Sequence, residues 1–183
     1  MRFVVILFFA ASCHAQSYFP EGTFSNFVVH WYSSQMKALG EKPMFSDTLS
    51  KGTDVYRFTW LRTFHRPVAF RLEVRDDGTG TFYIKVADGA GGYEPGKLVR
   101  DEVRKLDKRT TEMLAVRFDV AKFHELPTKD ENGGLDGSQW ILEAILDGKY
   151  HVVERWSPKA GPVHAIGMEF IELAIGGDFT PIY

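Results

Sequence analysis

Arg62, His65 and Arg66 stand close together where an apolar and aromatic run ends, and Arg71 and Arg75 follow on the next such run. A guanidinium presents a planar fork of donors that matches a carboxylate or phosphate, so a cluster of this kind suits a small anion such as a sugar acid. The plainer reading is a solvated strand face on which these charges pair with Glu73. Arg62 differs from its neighbours because it continues the alternation Tyr56, Phe58, Trp60, which sets its charge beside aromatic rings.

Glu143 and His151 are the residues with the chemistry of a general acid or base. Glu143 lies between Ile141 and Ile145, on a strand face shared with Tyr150 and Val152. If that face is covered, the carboxyl needs a cation, with Arg62 or Arg71 as the expected partner, or it holds a raised pKa in a cleft. Asp136, Ser138 and His151 do not read as a nucleophilic triad, since no nucleophile elbow surrounds Ser138 and the strand register keeps Ser138 far from His151. The histidines are scattered singly, without His-x-x-x-His spacing, so neither a metal nor a cofactor is expected. The loop Gly89–Gly96 lacks the Lys-Ser/Thr and the following helix of a phosphate-binding loop. It is expected instead to turn the chain and to hold Tyr93 and Glu94 over a cleft.

These residues need strands and helices to position them. A helix capped by Thr23 or Ser25 runs to about Leu39 and stops at Gly40, with Phe24, Phe27, Val28, Trp31, Tyr32 and Leu39 at helical spacing. Three strands follow, near Val55–Phe64, Val68–Arg75 and Thr79–Ala87, with Asp76-Asp77-Gly78 as the turn between the last two; a fourth lies near Leu98–Leu106. Thr110 or Thr111 caps a second helix carrying Met113, Leu114, Phe118 and Phe123. Strand Ser138–Leu146 turns at Asp147-Gly148 into Lys149–Trp156, and a last helix near Pro162–Ile175 ends at Gly176-Gly177. A two-residue turn sets Leu146 opposite Lys149, Ala144 opposite His151 and Trp140 opposite Arg155, the last as a cation–π pair at the surface. Sequential hairpins predict an α+β fold, a mainly antiparallel sheet of a four-strand meander plus a C-terminal hairpin, packed by about three helices. The mixed faces of the last hairpin give one reading in which the helices lie on one side and the second side is partly covered.

The N-terminus carries a different kind of signal. Arg2, the apolar run Phe3–Ala11 and the small-residue exit Ser12-Cys13-His14-Ala15 predict a secretory signal over residues 1–15, too short to span a bilayer. Cleavage after Ala15 would leave residues 16–183 as one globular domain without cysteine. Alternatively, Ala10-Ala11-Ser12-Cys13 reads as a degenerate lipoprotein box, with Cys13 lipidated as a membrane anchor. Either route denies the fold a disulfide. About 168 residues after Ala15 suit a single core. With 22 basic and 24 acidic residues, no global field draws the chain to nucleic acid, and no second apolar stretch predicts a transmembrane span.

The segments Arg57-Phe58-Thr59-Trp60-Leu61-Arg62-Thr63-Phe64-His65-Arg66-Pro67, Gly89–Gly96, Leu135–Glu143 and Gly148–Pro158 together resemble a family of uncharacterised exported bacterial proteins, over about residues 55 to 174. The resemblance implies a periplasmic, secreted or envelope address and brings no activity, cofactor or catalytic residue with it. The expected function is a non-catalytic exported domain that binds a small anionic ligand, an envelope component or a protein partner. Its contacts would come from Arg62, His65, Arg66, Tyr93, Glu94, Trp140 and Arg155. The alternative is a hydrolase-like enzyme using Glu143 or His151 as acid or base.

Overall fold

A computed structural model describes residues 17–46, 53–174, 179 and 182. The expected signal over residues 1–15, with Cys13, and the Gly176-Gly177 stop lie outside the described residues. The elements run α1 (Asn26–Ala38), β1 (Asp54–Arg62), β2 (Val68–Val74), β3 (Gly80–Ala87), β4 (Leu98–Leu106), α2 (Lys108–Val120), β5 (Ser138–Leu146), β6 (Lys149–Trp156) and α3 (Pro162–Leu173). The fold is α+β. All strands join one antiparallel sheet in the order β4-β3-β2-β1-β5-β6.

The meander β1–β4 is built from consecutive hairpins, and β5–β6 is a separate hairpin laid against β1. Its register is the one a tight Asp147-Gly148 turn dictates: Leu146 faces Lys149, Ala144 faces His151 and Trp140 faces Arg155. Asp147 and Gly148 both have positive φ, 51° and 72°, as such a turn requires.

Alternation along β1 divides the sheet into two faces. Tyr56, Phe58 and Trp60 point to the side covered by α2 and α3, where Phe70, Phe82, Leu114, Phe118, Trp140, Leu142, Ile166 and Phe170 complete the main core. Helix α2 is capped by Asp107, whose carboxylate accepts from the Thr110 amide, and not by Thr110 or Thr111. Asp at this position both caps and complements the positive helix end.

Helix α1 corrects the one-sided expectation. It lies on the opposite face, where Tyr18, Phe19, Phe24, Tyr32 and Met36 pack against Leu61, Ile141 and Val152. Ser25 caps it, and Gly40, at φ 66°, ends it by turning the chain back onto β2 and β3. Phe27, expected in the apolar stripe, is 76% exposed. The stripe is instead filled by Tyr32, Gln35 and Met36. Gln35 is admitted because its amide donates to the Tyr93 carbonyl (2.7 Å).

No helix among the described residues is long and apolar enough to cross a membrane.

Candidate functional site

Two clusters of charge are built on β1, and residue parity separates them. Arg57 is on the face beneath α1 and Arg62 is on the face of Trp60.

The Arg57 cluster is closed at Arg57 and Glu143, while its Glu41, Arg71, Glu73 and Lys85 end lines a cleft of about 320 Å³. Glu143, Arg57, Arg71 and Tyr83 are successive register partners across β5, β1, β2 and β3, so their side chains form one row on one face. Arg57 Nε donates to Glu143 Oε2 and Nη2 to Oε1, each at 2.7 Å, a bidentate pair with both side chains fully buried. Glu41 enters from the loop behind α1 and receives Arg57 Nη1 at 3.2 Å and Arg71 Nε at 3.0 Å. Lys85 Nζ stands 3.6 Å from the other Glu41 oxygen and donates to the Gly40 carbonyl at 2.9 Å. Arg71 also pairs with Glu73 and lies 3.9 Å from the centre of the Tyr83 ring. The Tyr150 hydroxyl donates to Glu143 Oε1 at 2.9 Å.

The partner of Glu143 is therefore Arg57, where Arg62 or Arg71 was expected. Arg62 points to the other side of the sheet, and Arg71 sits one strand further from Glu143. The electrostatics follow this geometry. Burial pushes the Glu41 carboxyl up, but the Arg57, Arg71 and Lys85 cations outweigh it and hold it below the ordinary carboxylate value. Complete burial raises Glu143, with Arg57 pulling the other way.

The second cluster is open. Arg62, Phe64, His65, Arg66, Asp88, Gly89, Arg100 and Phe179 line a cleft of about 630 Å³. Here the structure brings together three residues singled out in the sequence: Arg62, His65 and Arg66. Arg62 is 3% exposed. Its guanidinium lies 4.2 Å from the centre of the Trp60 ring and donates to the Phe179 carbonyl (3.0 Å) and the Arg66 carbonyl (3.4 Å). Arg66 is exposed at the mouth and has no acidic partner among the described residues. Arg100, missed in the sequence, reaches the cleft from β4 and is paired with Glu102 (2.6 Å).

The Gly-rich loop forms one wall. Its close contact with β1 requires glycine: a Cβ on Gly91 would stand 2.7 Å from the Leu61 and Arg62 backbone. From the other side, Trp31 Nε1 of α1 donates to the Gly91 carbonyl at 2.9 Å. Tyr93 is 61% exposed and stacks on Phe64, their centroids 6.0 Å apart. Neither Tyr93 nor the exposed Glu94 lines the cleft; Tyr93 reaches it only through its stacking on Phe64.

The other expected contacts lie elsewhere. Trp140 is fully buried between Phe58, Trp60 and His164, and its Nε1 donates to Ser138 Oγ (2.8 Å), which makes it a core residue and not a surface one. Arg155 reaches away to the Pro127 carbonyl (3.0 Å) and Asp130 (3.5 Å), and lines a separate cleft with Asp136, Trp156 and Pro162. His151 Nε2 meets the Leu126 carbonyl at 2.8 Å, with its ring against Phe123 and His124. It opposes Ala144, so it lies on the opposite sheet face from Glu143, and these two cannot serve one reacting group. Among the described residues no three His, Cys, Asp or Glu side chains gather as a metal site.

No protein-family model matches the chain, and no curated protein matches it.

Proposed function

We propose that the chain is an exported binding domain whose cleft, formed by Arg62, His65, Arg66 and the Gly-rich loop, takes a small anionic ligand such as a sugar acid. The observation that carries this reading is Arg66: an exposed guanidinium at the rim of a cleft, with no carboxylate partner among the described residues. Phe64, backed by Tyr93, adds an aromatic surface suited to the apolar face of a sugar ring. A hydrolytic role draws no support from Glu143, which is locked to Arg57 and sealed from solvent, or from His151, which is tied to a loop carbonyl.

Calorimetric titration with inorganic phosphate and with galacturonate tests the reading, with uncharged galactose as the control. Saturable binding of an anion is expected, weakened about tenfold or more in Arg66→Ala, because a charge-assisted hydrogen bond contributes roughly 1.5–3 kcal/mol. Absence of binding by both anions, or binding indifferent to Arg66→Ala, counts against it. The exported address has its own test in the intact mass of the protein from a bacterial envelope fraction. A chain beginning at Gln16 or at a lipidated Cys13 supports export, and a chain retaining Met1 opposes it.

A further inference from the structure

The two edges of the sheet are treated differently. At β6 the Glu154 amide is taken by the Thr128 carbonyl at 2.7 Å, and the segment from Leu126 to Thr128 lies along that edge. At β4 no backbone hydrogen bond from a described residue reaches the outer side of Leu98–Leu106. All nine of its side chains are exposed or half-buried, including Val99 at 53% and Val103 at 55%. A strand edge this long is a template for another strand.

Its sequence specifies which strand. Two copies of one strand that pair antiparallel about a two-fold axis must set some residue opposite its own copy. In an antiparallel ladder hydrogen-bonded and non-hydrogen-bonded pairs alternate, so placing residue i opposite i+1 would make two symmetry-related pairs unlike. The choice therefore reduces to the central residue. Centring on Glu102 or Arg104 sets that charge against itself, and centring on Glu102 also opposes Arg100 to Arg104; centring on Asp101 opposes Asp101 to itself but sets Arg100 against Glu102 twice. Centring on Val103 opposes valine to valine, Asp101 to Lys105 and Glu102 to Arg104, each charged pair occurring twice. Glu102 already pairs with Arg100 and Arg104 of its own strand, so Asp101–Lys105 is the pair the second copy adds. These pairs fall on the correct faces. Asp101, Val103 and Lys105 oppose Lys85, Tyr83 and Thr81 of β3 on the face that α1 leaves open, and Glu102 and Arg104 lie on the other.

We infer that β4 pairs with β4 of a second copy of this chain, centred on Val103, joining two sheets into one continuous sheet. Charges on an edge strand ordinarily guard it against pairing. Here the pattern is self-complementary in the register centred on Val103 and repulsive in the two that adjoin it, so the charges resist a slip of the pairing by one residue.

Sedimentation velocity and cysteine crosslinking of the full chain test this. A reversible dimer is expected, and it weakens as salt rises. Asp101→Lys should weaken it about tenfold or more, since two cross-strand pairs become repulsive at once. The exchange Asp101→Lys/Lys105→Asp should restore it. Both positions are exposed, and unchanged circular dichroism separates lost pairing from lost folding. Val103→Cys places a thiol opposite itself, within the ~4.5–5.5 Å Cα separation of a strand pair, and should oxidise to a covalent dimer. Glu102→Cys, opposite Arg104 of the partner copy and carrying the same Cys13, should not. A chain still monomeric at about 1 mM overturns the inference and leaves this edge to a strand of another protein. So does crosslinking as strong from Glu102→Cys as from Val103→Cys.

Discussion

Arg57 and Arg62 stand on the same strand, yet their surroundings differ in kind. Around Arg57 each cation has a carboxylate: Arg57 has Glu143 and Glu41, Arg71 has Glu41 and Glu73, and Lys85 has Glu41. Around Arg62 the surroundings are of another kind. Its own guanidinium engages backbone carbonyls and an indole face, and Arg66 has no acid partner among the described residues. The difference follows from what covers each group. Arg57, Glu143 and Glu41 have almost no exposed side-chain surface, and a lone ion buried this way is costly, so these charges must balance. At the open end of β1 the exposed Arg66 guanidinium faces solvent, where a ligand can reach it.

Breaking the closed cluster should have the largest effect. Arg57→Met leaves Glu143 buried without its cation and should lower stability by about 3–5 kcal/mol in urea denaturation. Arg57→Met/Glu143→Leu removes both charges and should recover most of that loss. If the double variant is as unstable as the single one, the cluster is held by more than charge balance.

Gly91→Ala strikes the boundary between the two regions. The added Cβ meets backbone that cannot yield, and overpacking of this kind costs about 1–3 kcal/mol. Because the displaced loop is a wall of the cleft, anion affinity should fall together with stability.

Glu154 sharpens the comparison from the same face as Arg57. It opposes Ile141 beneath α1, but has no bidentate arginine. Burial, reinforced by Asp130, raises its pKa to about 7. An acid raised above its unfolded value contributes stability that is complete below about pH 4.3 and is lost as pH rises through about 7. Glu154→Gln should therefore stabilise the chain at pH 8 relative to the parent, and do so much less at pH 5. An equal effect at both pH values would show that its ionisation is not coupled to folding.

The smallest effect belongs to the open cluster. Arg66→Ala should leave stability within about 0.5 kcal/mol, as befits a surface side chain. The same change is expected to abolish most anion binding, so the two regions separate cleanly: one governs folding and the other affinity.

Much of this was legible in the sequence because it is local. Strands β5 and β6 appear with the bounds that alternation and the Asp147-Gly148 turn imply, and the meander follows from its hairpins. Arg62, His65 and Arg66 converge because they are neighbours around one strand end. What escaped depends on distant parts of the chain. Nothing in local periodicity says that Glu41 enters over β1, or that Arg100 reaches the cleft from β4. One signal for Arg57 was available. The run Val55-Tyr56-Arg57-Phe58-Thr59-Trp60-Leu61 is apolar on both faces, which marks a strand buried on both sides, and an arginine inside it demands an acid. Trp140 misled because register fixed its opposite number, Arg155, but not which layer would cover it.

The Arg57–Glu143 pair also orders events in time. It joins residues 86 apart in sequence, at the seam where the meander meets the β5–β6 hairpin. Chain emerging in sequence order can form β1–β4 from local turns, but β1 then remains an edge strand with a solvated arginine on it. Glu41, 16 residues before Arg57, can meet that charge early, but the bidentate partner arrives only with Glu143. The seam is thus a long-range contact that local turns cannot supply, and contacts of this kind slow folding. Until it closes, a half-sheet presents an unpaired edge at β1, and that interval is when the chain is most exposed to aggregation.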